Sequence, residues 1–360
     1  MDIIIISNSP GELSALVSPV AKELHKDQSI RTFLVLTPCQ YTSGKEIEYA
    51  NSIKGFSKII SANEYKAWIL KNKKPNIKFE DKGAVIYLGG DLAHAMLVAK
   101  KLKYPAFAYV QDYIGWVNFY KRFYVPDQQS FNKFKKHNKK LKIIGNLMVD
   151  SIEDIPKWSP QQNVITFMPG SRQWQIKHMT PLYAKIMDEI KKLIPNATFQ
   201  LVSSPFEKAI DIKGAKNISF EQAGNSELVI TIPGTNTARL AARGIPMISI
   251  FPLDNPDVIP LEGLPHFICM IPYFGSKFKS WLVNTVNKRT KFFALPNIKA
   301  QKEIVPEIRG TIIPLEIAKL CFELLNNRQK REAMSQELIR AMGSNGAAKL
   351  LVKEIYETLR

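Results

Sequence analysis

Three stretches of the chain place a Pro-Gly break directly after an apolar, β-prone run and directly before a segment of helical period. In an open parallel sheet such junctions lie outside the carboxyl ends of the strands, where ligands bind, so the residues at each one indicate a chemistry. In "SNSPGELS" (residues 7–14) the break carries one Gly and Glu12. A dinucleotide fingerprint needs three glycines, and a carboxylate on a helix N-terminus repels phosphate. Glu12 is read as a reader of hydroxyls or a base, or else as a first-turn residue that complements the helix dipole.

The second junction is "VITFMPGSRQWQI" (164–176). Gly170 lets the backbone approach a ligand closely, Ser171 offers a hydroxyl and an N–H, and Arg172 offers a planar donor fork suited to phosphate oxygens. A diphosphate needs that set; a tight turn with a solvated Arg is the plain alternative. The third is "TIPGTNTARLAARGIPM" (231–247). Gly234, Thr235, Asn236 and Thr237 can cap a helix and present N–H groups to a second anion or a ribose, and Gly244 stands where that helix should end. Capping alone would justify them, and only the pairing with the other Pro-Gly corner favours a ligand. A nucleotide donor in the second half and an acceptor in the first follow. No Asp-x-Asp pair stands at a strand end, so the charge of a leaving group falls to Arg172 and to helix dipoles, with neither metal nor cofactor expected.

These loops need a scaffold, and the apolar pattern supplies one. The runs "IIIIS", "TFLVL", "AVIYL", "AFAYV", "KRFYV" and "LKIIG" alternate with helical segments such as "ELSALVSPVAKELHK" and "DLAHAMLVAKKL", which predicts a mostly parallel sheet covered on both faces. A fresh series starts at Val164 with "VITFM", "ATFQLVS", "ELVITI" and "PMISIF". The stretch between, "DSIEDIPKWSPQQN" (150–163), is rich in Pro, Ser, Gln and Asn and has no period, which suits a linker. From Pro314 on, the chain reads as helix. Expected, therefore, are an α/β architecture of two doubly wound, Rossmann-like domains facing a cleft (1–155 for the acceptor, 156–340 for the donor), and a C-terminal helix, 341–360, that packs back on the first.

Composition bounds the partners. The 360 residues carry 50 Lys and Arg against 32 Asp and Glu, a formal charge of +18. That excess favours anionic partners: nucleic acid, an anionic membrane surface or phosphorylated substrates. Lysines cluster in "KNKKPNIK" (71–78) and "NKFKKHNKKLK" (132–142), which read equally well as solvated faces. Cys39, Cys269 and Cys321 lie far apart with no His cluster, so they are read as buried, reduced thiols, without disulfides or zinc. No apolar run reaches the eighteen residues of a spanning helix and "MDIIIIS" lacks the features of a signal peptide, so a cytoplasmic location is expected.

Four motifs, "MPGSRQWQIKHMTPLY", "IPGTNTARLAARGIPM", "LKIIGNLMVDSI" and "FFALPNIKAQKEIVPE", resemble those of bacterial lipid-A-disaccharide synthases, two-domain glycosyltransferases of the GT-B fold. The similarity covers most of the second half and, more weakly, the first. It implies transfer of an acylated glucosaminyl unit from UDP to the 6-hydroxyl of a phosphorylated, acylated glucosamine, with inversion. It also implies that Ser171 and Arg172 grip the UDP diphosphate, that Gly234, Thr235 and Thr237 line the nucleotide, and that Asn297, Glu303 and Glu307 edge the donor pocket.

Inversion needs a base near the acceptor. The chain departs from the family there: Ala15 and Leu16 replace a Gly-Asp, and in "GGDLAHA" (89–95) Asp91 is kept while His94 takes the place of a second Asp. His94 is then a candidate base, with Asp91 or Glu12 orienting it. Arg239 stands where the family has a Glu resembling a ribose-binding acid, which implies an additional anion on the donor or acceptor, or a ribose held otherwise. Residues 252–266 look like an insertion.

In "PYFGSKFKSWLVNTVNKRTKFF" (272–293), Phe274, Phe278 and Trp281 recur at helical spacing with Lys277 and Lys279 between them. That pattern suits contact with an anionic bilayer, which lipid substrates would require, or core packing. Two other readings remain: a nucleotide-sugar 2-epimerase, which shares the architecture but needs no acceptor, and a basic nucleic-acid-binding protein, for which no recognisable module is present.

Overall fold

The computed structural model describes residues 1–39, 44–205, 210–254 and 275–359, with the backbone alone for 275–277. The chain divides into two compact units, one chiefly Met1–Ile155 with Gly343–Arg360, the other chiefly Pro156–Ser204 with Lys208–Met342.

The first unit is built on seven parallel strands: β1 Asp2–Ser7, β2 Arg31–Leu36, β3 Phe56–Ile60, β4 Gly83–Tyr87, β5 Ala106–Tyr109, β6 Tyr120–Val125 and β7 Leu141–Ile143. They lie in the order β3-β2-β1-β4-β5-β6-β7. β1 is central, and Ile3, Ile4, Ile5 and Ile6 are all 0% exposed, as expected of a strand covered on both faces. Each such side chain contributes about 1.5–3 kcal/mol of burial. The second unit carries six parallel strands: β8 Val164–Met168, β9 Thr198–Val202, β10 Ala215–Ile218, β11 Leu228–Thr231, β12 Met247–Pro252 and β13 Glu307–Gly310. Their order is β10-β9-β8-β11-β12-β13. Both are doubly wound sheets, in which strand order reverses beside the first strand.

The helix that leaves β1 is irregular. Pro10–Glu12 opens it, Leu13–Val17 is π-helical, and Ser18–Leu24 resumes the α form. Pro19 has no N–H to return to Ala15, and the Ser18 N–H bonds instead to Leu13, five residues back; widening of this kind is one way a helix absorbs a missing donor. The last helix, Ala347–Leu359, belongs to the first unit. The Asp150 carboxylate caps its start, accepting the N–H groups of Gly346 (2.8 Å) and Ala348 (2.6 Å). Glu354, 5% exposed, accepts from Lys142 at 2.6 Å and Arg122 at 3.3 Å.

Among the described residues no helix is long and apolar enough to cross a membrane. Cys321 is fully buried, and burial pushes its thiol pKa up; Cys39 is half-buried. Cys269 and residues 255–266 of the expected insertion lie outside the described residues.

Candidate active site

In the second unit the strand order reverses between β8 and β11, which pair in parallel with Met168 opposite Thr231. The Pro-Gly corners that follow these two strands are therefore neighbours at one sheet edge, the crevice where doubly wound sheets take ligands. The corners are packed tightly: the Thr231 hydroxyl donates to the Met168 carbonyl at 3.2 Å. A Cβ on Gly170 would stand 2.9 Å from Ile232 Cδ1 and 2.3 Å from Gln175 Oε1, with φ +105 besides, so no other residue fits there without movement.

Gly170 leads into the 21-residue helix Gln173–Leu193. The N–H groups of Ser171 and Arg172 both donate to Gln175 Oε1, each at 3.2 Å. The two donors thus converge on one oxygen, that of the Gln175 side chain. Ser171 and Arg172 are both half-buried. Neither Gln175 nor Trp174, whose buried indole N–H has no partner among the described residues, was singled out by the sequence, since a Gln and a Trp in a first turn carry no distinctive signal.

At the neighbouring corner Gly234 is exposed and has open space around it. Thr235 and Asn236 are half-buried at the start of the helix Thr235–Ala242. Thr237, 0% exposed, sets the corner: its hydroxyl donates to the Gly234 carbonyl at 2.7 Å and accepts the Leu295 N–H at 3.2 Å. Arg239 lies with its guanidinium carbon 3.9 Å from the Phe220 ring centroid, a stacking that no local pattern foretells because 19 residues separate the two. Arg243, 2% exposed, donates to the carbonyls of Pro156, Phe220 and Glu221. Burial lowers its pKa to about 10.

Asn297 and Glu307 come together, and Glu303 is exposed nearby in sequence. Asn297 is 0% exposed, donates to Val305 O (2.7 Å) and Glu307 Oε1 (2.8 Å), and accepts from the N–H groups of Ile304 (2.7 Å) and Val305 (2.9 Å). Glu307 also accepts from Phe293 N and Ala294 N, both at 2.9 Å. This amide and carboxylate hold the segment that Thr237 touches. Asn297→Ala leaves buried donors unpaired at about 1–3 kcal/mol each. The expected loss of stability is therefore about 3 kcal/mol or more, read as a lower midpoint in urea unfolding at unchanged m-value.

In the first unit the order reverses between β1 and β4. Glu12, half-buried, sits at this crevice. It closes a capping box with Ser9 (Ser9 N to Oε2, 3.2 Å; Glu12 N to Ser9 Oγ, 3.4 Å) and reaches across to accept the Gly90 N–H at 3.3 Å. A Cβ on Gly89 would lie 2.2 Å from the Glu12 carboxyl carbon, so that glycine is what admits the carboxyl group. Burial raises the Glu12 pKa above its ordinary value, against the pull of the hydrogen bonds from Ser9 and Gly90. Beside it, the hydroxyls of Ser7 and Thr37 are buried with no partner among the described residues. Asn8 and Thr37 both approach Gly90. Gly89 and Gly90 were legible as a pair after a strand but were not singled out.

Asp91 is exposed and caps the helix Leu92–Leu102 by accepting the Ala93 N–H at 2.7 Å. His94 lies in that helix's first turn, and the hydrogen-bond partner of its ring is Tyr65, whose hydroxyl is 2.6 Å from Nδ1, rather than Asp91 or Glu12. Burial lowers the His94 pKa, with Asp91 pulling the other way, while burial pushes Tyr65 up to about 12. Nδ1 of His94 is thus engaged by Tyr65, and burial disfavours the charged ring. In the helix Gly275–Arg289, Trp281 is 60% exposed and Phe278 lies 5.8 Å from it between ring centroids; Lys279 is half-buried. The Lys277 side chain and Phe274 lie outside the described residues.

No family model matches the chain. Curated relatives are lipid-A-disaccharide synthases. That of Idiomarina loihiensis is 26% identical over 199 residues, 51% of this chain and 48% of the relative. That of a Sulfurihydrogenibium species is 25% identical over 233 residues, 57% and 53% of the two chains. The chain spans about half the length of the curated relatives it matches.

Among solved structures, a UDP-N-acetylglucosamine 2-epimerase assigned in Listeria monocytogenes aligns with TM-score 0.62 at 12% identity, covering 100% of this chain and 96% of that one. The Neisseria meningitidis 2-epimerase bound to UDP-GlcNAc aligns with TM-score 0.58 at 13% identity (99% and 100%). Arabidopsis thaliana UGT89C1 complexed with UDP aligns with TM-score 0.52 at 10% identity (100% of each). The fold is GT-B, as the sequence led one to expect, and over about half of its length the chain is similar to lipid-A-disaccharide synthases.

Proposed function

We propose that the chain is an inverting, metal-independent glycosyltransferase. It moves an amino sugar, acylated or not, from a UDP-sugar to a lipid-linked or phosphorylated sugar acceptor at the inner face of the cytoplasmic membrane. One observation carries the reading: the two Pro-Gly corners of the second unit end adjacent strands at the point where the strand order reverses, with two backbone donors already aimed at a single oxygen.

In this reading the second unit holds the donor. Gly170 and Gly234 give the diphosphate close access to backbone, Ser171 and Arg172 donate to it, and Thr235, Asn236 and the buried Thr237 form the nucleotide side of the corner. Arg239 lends positive charge behind that corner, and Asn297 and Glu307 support it, with Glu303 exposed in the chain between them. The first unit supplies the base. The acceptor hydroxyl oxygen attacks the anomeric carbon, its proton passes to the Glu12 carboxylate, and the bond from the anomeric carbon to the phosphate oxygen breaks with the electron pair leaving on UDP. Arg172 and the helix N-terminus meet the charge that develops there. Glu12 is taken as the base over His94 because it reaches across the reversal of strand order between β1 and β4 to Gly90, whereas Nδ1 of His94 is engaged by Tyr65. His94 and Asp91 then stand at the acceptor side. Phe278, Trp281, Lys277 and Lys279 are proposed to touch the bilayer.

The structural neighbours favour a second reading, a 2-epimerase that acts on a sugar nucleotide alone. The two are separated by incubating the purified protein with candidate UDP-sugars, with and without membrane lipid extract, and following UDP release and glycolipid products by mass spectrometry. A transferase gives UDP and a new glycolipid only when extract is present. An epimerised nucleotide, or UDP release indifferent to extract, would overturn the transferase reading.

A further inference from the structure

The turn that receives Glu12 is itself fastened at several points. Leu88 follows β4, and its N–H donates to the Ile6 carbonyl at 2.9 Å, which carries the pairing of β1 and β4 up to the start of the turn. Gly89 and Gly90 come next, the second with φ +86. Two tyrosines then hold the carbonyls that follow. The Tyr87 hydroxyl donates to the Gly90 carbonyl at 2.6 Å, and the Tyr120 hydroxyl, brought from β6, donates to the Leu92 carbonyl at 2.6 Å. Tyr120 is 1% exposed and Tyr87 is half-buried.

Gly90 therefore lies between two hydrogen bonds: its carbonyl accepts from Tyr87, and its N–H donates to Glu12 Oε1 at 3.3 Å. These two groups belong to neighbouring peptide planes that swivel about one Cα, and glycine restricts that swivel less than any other residue does. Something outside the turn must set it. Asn8 and Thr37 limit the space, since a Cβ on Gly90 would stand 2.9 Å from Asn8 Nδ2 and 3.2 Å from Thr37 Oγ1. The Tyr87 hydroxyl supplies the direction.

The ionisable groups gathered at this turn are Glu12 from the first helix, Tyr87 from β4, Tyr120 from β6 and Asp91, which also acts on His94 and Tyr65. Burial, with the Glu12 and Asp91 carboxylates adding to it, pushes the Tyr87 pKa far up. The Tyr87 hydroxyl thus keeps its proton throughout the range in which Glu12 titrates, and its bond to Gly90 persists on both sides of that titration.

We infer that Tyr87 is a positioning residue for the Glu12 carboxylate: by holding the Gly90 carbonyl it keeps the Gly90 N–H aimed at Oε1, and so holds the group that takes the acceptor's proton. The inference rests on the reading of Glu12 as the base. Tyr87→Phe keeps the ring and removes only the hydroxyl. With its carbonyl released, Gly90 turns its N–H away and Glu12 loses a hydrogen bond that favours the charged form. One such backbone bond holds a carboxyl down by about 0.5–1 pH unit, so Glu12 should titrate higher in the variant by that amount.

The test follows the carboxyl carbon resonance of Glu12 against pH in the full chain carrying isotopically labelled glutamate, the signal being assigned by its loss in Glu12→Gln. Tyr104→Phe is the control, because it removes a hydroxyl that donates to the Glu80 carbonyl, ahead of the start of β4. The expected result is a Glu12 titration raised by about 0.5–1 pH unit in Tyr87→Phe and unmoved in Tyr104→Phe, with the acidic limb of the turnover profile moving up by the same amount and UDP affinity unchanged. A Glu12 titration that stays at its native position in folded Tyr87→Phe, or one that moves equally in Tyr104→Phe, would overturn the inference. Native turnover in Glu12→Gln would instead defeat the base reading, and the two failures are told apart because the carboxyl titration needs no substrate.

Discussion

Glu12→Gln is expected to lower turnover by about 10²- to 10⁴-fold, the span that loss of a general base produces, while UDP affinity stays within about twofold of native because the donor corners lie in the other unit. The amide keeps the shape that Gly89 accommodates, and its one oxygen can accept from Gly90 or from Ser9 but not from both, so the side chain keeps its place at the cost of one hydrogen bond while its basicity is lost. The pH dependence follows from the same burial. With the Glu12 pKa raised above 4.5, the native enzyme gains activity as pH rises through that raised value, and the variant has no such limb.

Stability moves in the opposite sense. Between 4.5 and the raised value the folded chain binds a proton that the unfolded chain has released, so Glu12 lowers stability as pH rises across that window. The stability of Glu12→Gln relative to the native protein in urea unfolding is therefore expected to rise from low to neutral pH. A variant with native turnover, or one with an unchanged stability difference across pH, would remove Glu12 from its proposed role.

The second large effect is at the donor corner. Arg172→Ala removes the donation to a diphosphate proposed above, and hydrogen bonds to charged groups are worth about 1.5–3 kcal/mol, so UDP affinity should drop about tenfold to a hundredfold. Gly170→Ala should reduce it at least as much for a different reason. Its added methyl meets Gln175 Oε1 and Ile232 Cδ1 within 3 Å, at a φ that L-residues rarely adopt, and this distorts the turn that aims the Ser171 and Arg172 N–H groups. Titration of both variants with UDP, after thermal unfolding has verified the fold, checks the pair. UMP, which lacks the second phosphate, should lose less on Arg172→Ala than UDP does.

Much of the scaffold was legible because central strands of a parallel sheet are apolar along their whole length. "IIIIS" and "VITFM" could hardly be anything else, and the Pro-Gly corners that follow them mark the two reversals of strand order. The strands that escaped notice are edge strands. β3 (Phe56–Ile60) and β10 (Ala215–Ile218) carry Lys58 and Lys216, and β13 (Glu307–Gly310) is half-buried throughout. With one side of the ladder unpaired, an edge strand needs little apolar surface and benefits from charge, so its sequence does not announce it. The π-helical stretch Leu13–Val17 was hidden for a similar reason, since "ELSALVSPVAKELHK" has ordinary helical period and only Pro19 disturbs it.

The sites divide the same way. Residues whose surroundings are set mainly by their own loop, such as Gly170, Ser171 and Arg172, stand out from their neighbours in the sequence. Pairings made across the fold could not. Tyr65 at His94, Phe220 beneath Arg239, and the Gly89–Gly90 turn against Glu12 join segments 19 to 78 residues apart. Asn297 and Glu307, implied as edges of a donor pocket by resemblance, are fastened to each other and to backbone, which makes their first task the support of the Thr237 corner.

Calorimetric titration of UDP into the full-length native chain tests the account most directly. It predicts one saturable site per chain, with heat lost or strongly reduced in Arg172→Ala and in Gly170→Ala and retained in Glu12→Gln. No heat with UDP or any UDP-sugar, or equal binding by native and both corner variants, would contradict the claim that the adjacent Pro-Gly corners hold a nucleotide's diphosphate.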